Sequence, residues 1–278
     1  MKMKKVLVAA LALLALAVGT AQAEMYVEGY LGGNIVVTTP QPLDLSVNPL
    51  LAQTTSVDLT YPSTAKISFM GGLKVGTWFV KEGFLGFNYP NWMKYLGFYL
   101  DFSFHKLNIQ RSIGSQKMFV TFVNRPSGFQ YYKFFSQGNL VTVAFMFTFR
   151  YGFRPDEIAP FGRLQPYVAV GPAIFISTIR PTIRFFPGRP DLPIGNIHLF
   201  SNGYYGLSQT TSANVGLALE FGLRWMLLKN VSMDSSLKYR YVQTNYNFDF
   251  VANGFSHKLK VDPAYHLVSF HVGVAYHF

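Results

Sequence analysis

The chain has 278 residues, of which 50% are hydrophobic, 17% aromatic and only 13% charged, with 24 glycines, no cysteine and a formal charge of +11. That composition excludes a disordered chain, a disulfide scaffold, thiolate metal sites and cysteine nucleophiles. Roughly half the usual charge beside about twice the usual aromatic content leaves too little polar surface for a domain wetted on all sides, so part of the surface is expected to face lipid.

In chain order, the first segment is an export signal. Lys2, Lys4 and Lys5 precede the apolar run Val6 to Val18, and Ala21-Gln22-Ala23 supplies an A-x-A cleavage site. Residues 1–23 are therefore read as a signal peptide and 24–278 as the mature domain. The apolar run is shorter than the roughly 20 residues of a spanning helix. Removing the three lysines leaves 21 basic and 13 acidic residues, net +8. No later stretch is apolar enough to cross a bilayer as a helix. Backbone polar groups in hydrocarbon must be bonded within the protein, so the spanning structure left is a closed β-barrel. Its mark is a strand of about 10 residues, apolar on one parity and polar or small on the other.

Eight segments carry that mark. Met25 to Val37 is glycine-rich and turns Glu28 and Asn34 inward, and Ile67 to Phe79 turns Lys74 inward. Leu96 to Phe104 sets Leu96, Leu100 and Phe104 outward against Asp101. Val141 to Tyr151 sets Phe145, Phe147 and Phe149 outward against Arg150, and Val168 to Ile176 has the small inward residues Ala169, Gly171 and Ala173. Glu220 and Arg224 share the inward parity of Val215 to Leu227, as Asp234, Lys238 and Arg240 do in Val231 to Val242. Tyr265 to Phe278 alternates without a break. The four acids and five bases sent inward are expected to pair, because ions in a narrow, low-dielectric space are tolerated only with partners.

The connections alternate as well. Gaps of roughly 22 to 38 residues follow the first, third, fifth and seventh segments, and gaps of roughly 16, 16 and 3 follow the others. Long loops outside, short turns in the periplasm and both mature termini inside are the expected layout, with four long extracellular loops. A three-residue loop Leu228-Lys229-Asn230 would set Leu227 opposite Val231, hence Arg224 opposite Asp234 and Glu220 opposite Lys238.

The stretch from Lys106 to Gly138 carries Lys106, Arg111, Lys117, Arg125 and Lys133 with no acid. Its runs MFVTFV and FQYYKFF flank the turn Asn124 to Gly128 and read as a hairpin above the membrane. Arg111, Lys117, Arg125, Tyr131, Tyr132 and Lys133 form a candidate ligand surface for lipopolysaccharide phosphates or an anionic polysaccharide. The plainer reading is a solvated extension with aromatics packed inward. A third is that the two runs are strands nine and ten, although each is shorter than the roughly 9 to 11 residues a crossing needs.

The final octet HVGVAYHF, with Gly273, Tyr276 and terminal Phe278, resembles the carboxy-terminal signal read by the bacterial barrel-assembly machinery. Together with LQPYVAVGPAIF from Leu164 and NVSMDSSLKYRY from Asn230, it makes the chain resemble the OmpA-type, opacity-like family of eight-stranded outer-membrane barrels. The resemblance covers the layout of Met25 to Phe278 and is strongest in the last four strands. It implies an all-β, closed antiparallel up-and-down barrel in a Gram-negative-type outer membrane. Outer-membrane lipids and the assembly machinery would be its partners, and His271, Gly273, Tyr276 and Phe278 its assembly signal. No peptidoglycan-binding domain follows the barrel in this sequence, so cell-wall tethering is not carried over.

An eight-stranded barrel has room for its own side chains or one small ligand, which favours a plug over a pore. The expected function is a structural or surface-interaction role in the outer membrane, with a small-solute or ion-conducting porin as the alternative. A lipid-modifying enzyme ranks third: Ser269 and His271 project inward from one strand but lie roughly 7 Å apart along it. His198, His257 and His266 lack metal spacing, and no glycine-rich phosphate loop occurs, so no catalytic, metal or cofactor site is assigned. Export removes nucleic acid as a partner.

Overall fold

A computed structural model describes residues 24–38, 44–47, 53–61, 66–79, 89–120, 125–186, 204–252 and 255–278. The expected signal peptide lies outside the described residues. In chain order the strands are β1 (Glu24–Thr38), β2 (Asp44–Val47), β3 (Gln53–Tyr61), β4 (Lys66–Trp78), β5 (Leu96–Val120), β6 (Arg125–Arg150), β7 (Leu164–Phe186), β8 (Tyr204–Gly206), β9 (Thr210–Leu228), β10 (Val231–Gln243), β11 (Tyr246–Ala252), β12 (Phe255–Val261) and β13 (Ala264–His277). Among the described residues, β1, β4, β5, β6, β7, β9, β10 and β13 form an antiparallel ring that closes where β13 pairs with β1.

The ring has eight staves, not ten. The described parts of the runs read as possible extra strands continue β5 and β6, whose ladder extends from Leu96↔Phe149 to Val120↔Arg125. With 25 and 26 residues these strands far exceed the roughly 9 to 11 needed for a crossing, so their upper parts stand above the membrane. The long loops are also partly sheet. β3 pairs with β5, β2 joins β3 to β12, β12 pairs with β11, and β8 pairs with β7. The wall thus continues upward because the projecting strands offer loop backbone a ready set of hydrogen-bonding edges.

Parity governs burial. Along β13 the residues from Leu267 to Tyr276 alternate buried and exposed without interruption, with Val268, Phe270, Val272, Val274 and Tyr276 outward. Ile67 and Phe69 are 72% and 70% exposed while Lys74 on the same strand is 1% exposed. An exposed apolar belt around a charged interior inverts the arrangement of a water-soluble sandwich and makes this a membrane-spanning barrel of the outer-membrane type.

Two local features hold the register. The β9–β10 turn is tighter than expected: Leu228, not Leu227, opposes Val231 across Lys229-Asn230, and a shift between Val231 and Ser232 absorbs the spare residue. Asp234↔Arg224 and Lys238↔Glu220 are thereby restored, since a one-residue slip of β10 would send Asp234, Lys238 and Arg240 into lipid. Inward glycines also make room for inward aromatic rings. Gly72 opposes Tyr30, Gly76 opposes Tyr26 and Gly222 opposes Tyr167. A Cβ on Gly76 would lie 2.7 Å from both Tyr26 Cε1 and Tyr99 Cβ.

Candidate functional site

The lumen is built in three storeys. At the end of the barrel that holds Glu24 and Phe278, Arg150 reaches both carboxylate oxygens of Glu24 at 2.8 and 2.6 Å and the Gln165 side-chain oxygen at 3.1 Å. Its guanidinium lies between the rings of Trp78 and Phe161, 3.9 and 4.1 Å from their centroids. A planar cation forked onto a carboxylate and sandwiched by aromatic faces is a rigid bottom closure.

Above it lies the charged storey. Lys74 Nζ sits 2.8 Å from Glu28 and 2.7 Å from Glu220, with Asp234 at 3.6 Å. Arg224 binds the other Glu28 oxygen at 2.8 Å and approaches Asp234 at 3.5 Å. Lys238 pairs with Asp101 and, at 3.1 Å, with Glu220. Tyrosine hydroxyls take up remaining carboxylate lone pairs: Tyr30 donates to Asp101, Tyr99 to Glu220 at 2.9 Å, and Tyr167 lies within reach of Glu220 at 2.8 Å and Asp234 at 2.9 Å. The same rings face the cations, with Lys74 5.2 Å from the Tyr30 centroid and Arg224 4.2 Å from that of Tyr26.

Arg240 marks the upper edge of this storey and differs from the other eight charges assigned to the lumen. Its guanidinium bonds the neutral groups Ser103 Oγ at 2.9 Å, Asn34 Oδ1 at 3.2 Å and Ser269 Oγ at 3.4 Å, and no carboxylate pairs with it among the described residues. The expectation that every inward base meets an acid is corrected there, because the acids lie one storey lower and hydroxyl and amide oxygens suffice as acceptors. The third storey is apolar: Val36, Leu107, Leu140, Phe175, Ile179, Val242 and Leu267 fill the bore, joined by Tyr246, Phe248 and Leu259 from the wall above.

Parity reading missed several members. Glu24 shares the parity of Glu28 and could have been found by counting back four residues, but it stands next to the expected cleavage site. Tyr26, Tyr30, Tyr99 and Tyr167 share the inward parity of Glu28, Asp101 and Ala169 and could have been found from it, with the glycine that opposes each of them across a strand pair as a second signal.

Two chemical readings of the lumen meet geometric obstacles. Ser269 and His271 do not bond each other: Ser269 donates to the Lys238 carbonyl at 3.4 Å, and His271 Nε2 meets Ser236 Oγ at 2.6 Å. Glu220 lies 3.6 Å from that same Nε2. A relay needs the nucleophilic hydroxyl and the orienting acid on opposite ring nitrogens, which this arrangement lacks. The ligand atoms of Glu28, Asp234 and His271 lie within 4.8 Å of one another, as a cation site would require. The ammonium of Lys74, beside both carboxylates, already supplies positive charge there.

The remaining assigned residues fall in two places. Tyr276 and Phe278 point outward with centroids 5.1 Å apart, His271 and Gly273 face the lumen, and the Phe278 amide bonds Met25 oxygen at 2.9 Å. Arg111, Lys117, Arg125, Tyr131, Tyr132 and Lys133 sit on the projecting β5–β6 hairpin, with Ser115↔Tyr131 and Ile113↔Lys133 in register, and their side chains lie outside the described set.

No family model matches the chain, and neither does a curated protein. Solved structures similar to it include Neisserial surface protein A, at 13% identity over 91% of this chain and 97% of that one, TM-score 0.38. OprG from Pseudomonas aeruginosa is similar at 15% identity over 92% and 96%, TM-score 0.36. Ail from Yersinia pestis, in complex with the heparin analogue sucrose octasulfate, is similar at 12% identity over 92% and 99%, TM-score 0.34.

Proposed function

We propose that this protein is a sealed, non-enzymatic barrel of a Gram-negative-type outer membrane, with periplasmic termini, whose role is structural and surface-interacting. One observation carries the reading: the nine charged side chains assigned to the lumen are all at most 2% exposed, so water reaches none of them. A conducting pore needs a hydrated path past its polar lining, and this bore is filled by ion pairs below and by hydrocarbon side chains above. Planar-bilayer recording is the test. A sealed barrel gives no steady conductance, whereas stable open-channel current from purified protein would overturn the reading in favour of a porin.

The surface role rests on the projecting hairpin, which carries bases and no acid from Lys106 to Gly138. Its proposed partner is an anionic polysaccharide or lipopolysaccharide phosphate. Replacing Arg111, Lys117, Arg125 and Lys133 with Gln should abolish salt-sensitive retention on an anionic polysaccharide column, and unchanged retention would exclude the hairpin as the contact. During biogenesis, the last strand would present Tyr276 and Phe278 to the assembly machinery.

A further inference from the structure

The outer wall holds a second polar feature, separate from the hairpin tip and from the lumen. Across β5, β6, β7 and β9 the register aligns Phe104, Val141, Ile176 and Ala213 in one outward row, and two residues higher it aligns Lys106, Asn139, Thr178 and Thr211. Above these, Gln137 faces Arg180. One step of roughly 7 Å along the strands therefore exchanges hydrocarbon for charge and amides, which is the change expected where acyl chains give way to headgroups. At this level lies a groove of about 360 Å³ lined by Lys106, Gln137, Asn139, Thr178, Arg180 and Gln209, with no carboxylate among its described lining residues. Lys106 and Arg180 are exposed, and among the described residues neither cationic head has a hydrogen-bonding or ion-pairing partner.

We propose that this groove binds the phosphate of an outer-leaflet lipid headgroup, with Lys106 and Arg180 as the charged contacts and Gln137, Asn139 and Gln209 as amide donors. The volume lies at the small end of ligand sites, which suits one headgroup. The apolar row beneath receives the acyl chains of the same molecule, so the membrane itself delivers and orients the ligand. Two cations that merely snorkelled to the interface would need neither the concavity nor converging amides. A guanidinium and an ammonium facing one anion near low-dielectric hydrocarbon gain a charge-assisted bond each.

The proposal rests on the membrane placement argued above, and the experiment separates the two. Full-length mature protein in detergent is mixed with bis-phosphorylated lipid A, with the same lipid stripped of phosphate, or with inorganic phosphate, and bound species are counted by native mass spectrometry. One phosphorylated lipid should be retained. Retention should fall about thirty-fold for the dephosphorylated lipid and for Lys106→Gln/Arg180→Gln, return in Lys106→Arg/Arg180→Lys, and resist equimolar inorganic phosphate. Both substitutions alter exposed side chains, and an unchanged thermal midpoint verifies the fold. Equal retention by the neutralised variant, or displacement by inorganic phosphate, overturns the groove alone. Failure of the wild-type chain to partition into vesicles overturns the membrane placement and the groove together.

Discussion

The lower and upper parts of one lumen are filled by opposite chemistries. Between Arg224 and Asp101 the bore is packed with ions and tyrosine hydroxyls, and above Arg240 it is packed with Leu140, Phe175, Ile179 and Leu267. Both fillings exclude water, so sealing does not require either one. What differs is how each is stabilised. The apolar storey gains from burial of hydrocarbon and tolerates exchange of one side chain for another of similar volume. The charged storey gains little net energy over an apolar filling but penalises every wrong partner, so it selects the strand register.

The largest effect that would sharpen this contrast is expected from Lys238→Ala, which leaves Asp101 and Glu220 short of a cation. It should cost about 3 to 5 kcal/mol of folding stability in lipid vesicles. Lys229→Ala at the exposed β9–β10 turn should leave the midpoint nearly where it was, and equal midpoints for the two variants would break the pairing argument. Leu140→Ala in the upper storey follows, at about 2 to 4 kcal/mol from lost transfer energy and the cavity left behind. Leu140→Met should recover most of that loss, whereas no same-sized neutral residue should rescue Lys238.

Smaller again is Gly76→Ala, whose new methyl group meets Tyr26 and Tyr99. Overpacking of this kind costs about 1 to 3 kcal/mol, and Tyr26→Phe should not relieve it because the ring, not the hydroxyl, is in the way. The smallest effect is expected outside the membrane at Asp156. Its carboxylate accepts the Ala159 and Ile158 amides at 2.8 and 3.0 Å and pairs with Arg163. The Ala159 amide foremost, aided by Arg163, holds the acid below its ordinary value of 3.8. A depressed carboxyl contributes above its unfolded pKa and ceases to contribute as pH falls through the folded one. Asp156→Asn should therefore be nicked faster than wild type within 153–163 at neutral pH, with no difference below the carboxylate range. A difference that persists in acid would assign the effect to another group.

How much could be read beforehand depended on whether a feature was local. Parity located Lys74, Asp101, Glu220, Arg224, Asp234 and Lys238 on the inner face, because side-chain direction along a strand repeats every two residues whatever the strand pairs with. The two ladder pairs across the β9–β10 turn came out as expected although the turn is one residue tighter, because the shift between Val231 and Ser232 restores the register. Loop length said little about loop structure. β2 and β3 were hidden because their partners β12 and β5 lie far away in sequence, whereas β11 and β12 form a local hairpin inside a stretch read only as loop.

The order of apolar and polar positions in the chain is thus enough to say which side chains meet lipid and which meet the interior. It cannot say which interior side chains of non-neighbouring strands meet across the bore. Lys74 and Glu220 stand 146 residues apart and touch across the bore, as do Arg224 and Glu28, 196 apart. Those contacts are fixed by strand tilt and by closure of the ring, which bring residues of unrelated strands to the same height inside a tube too narrow to keep them apart.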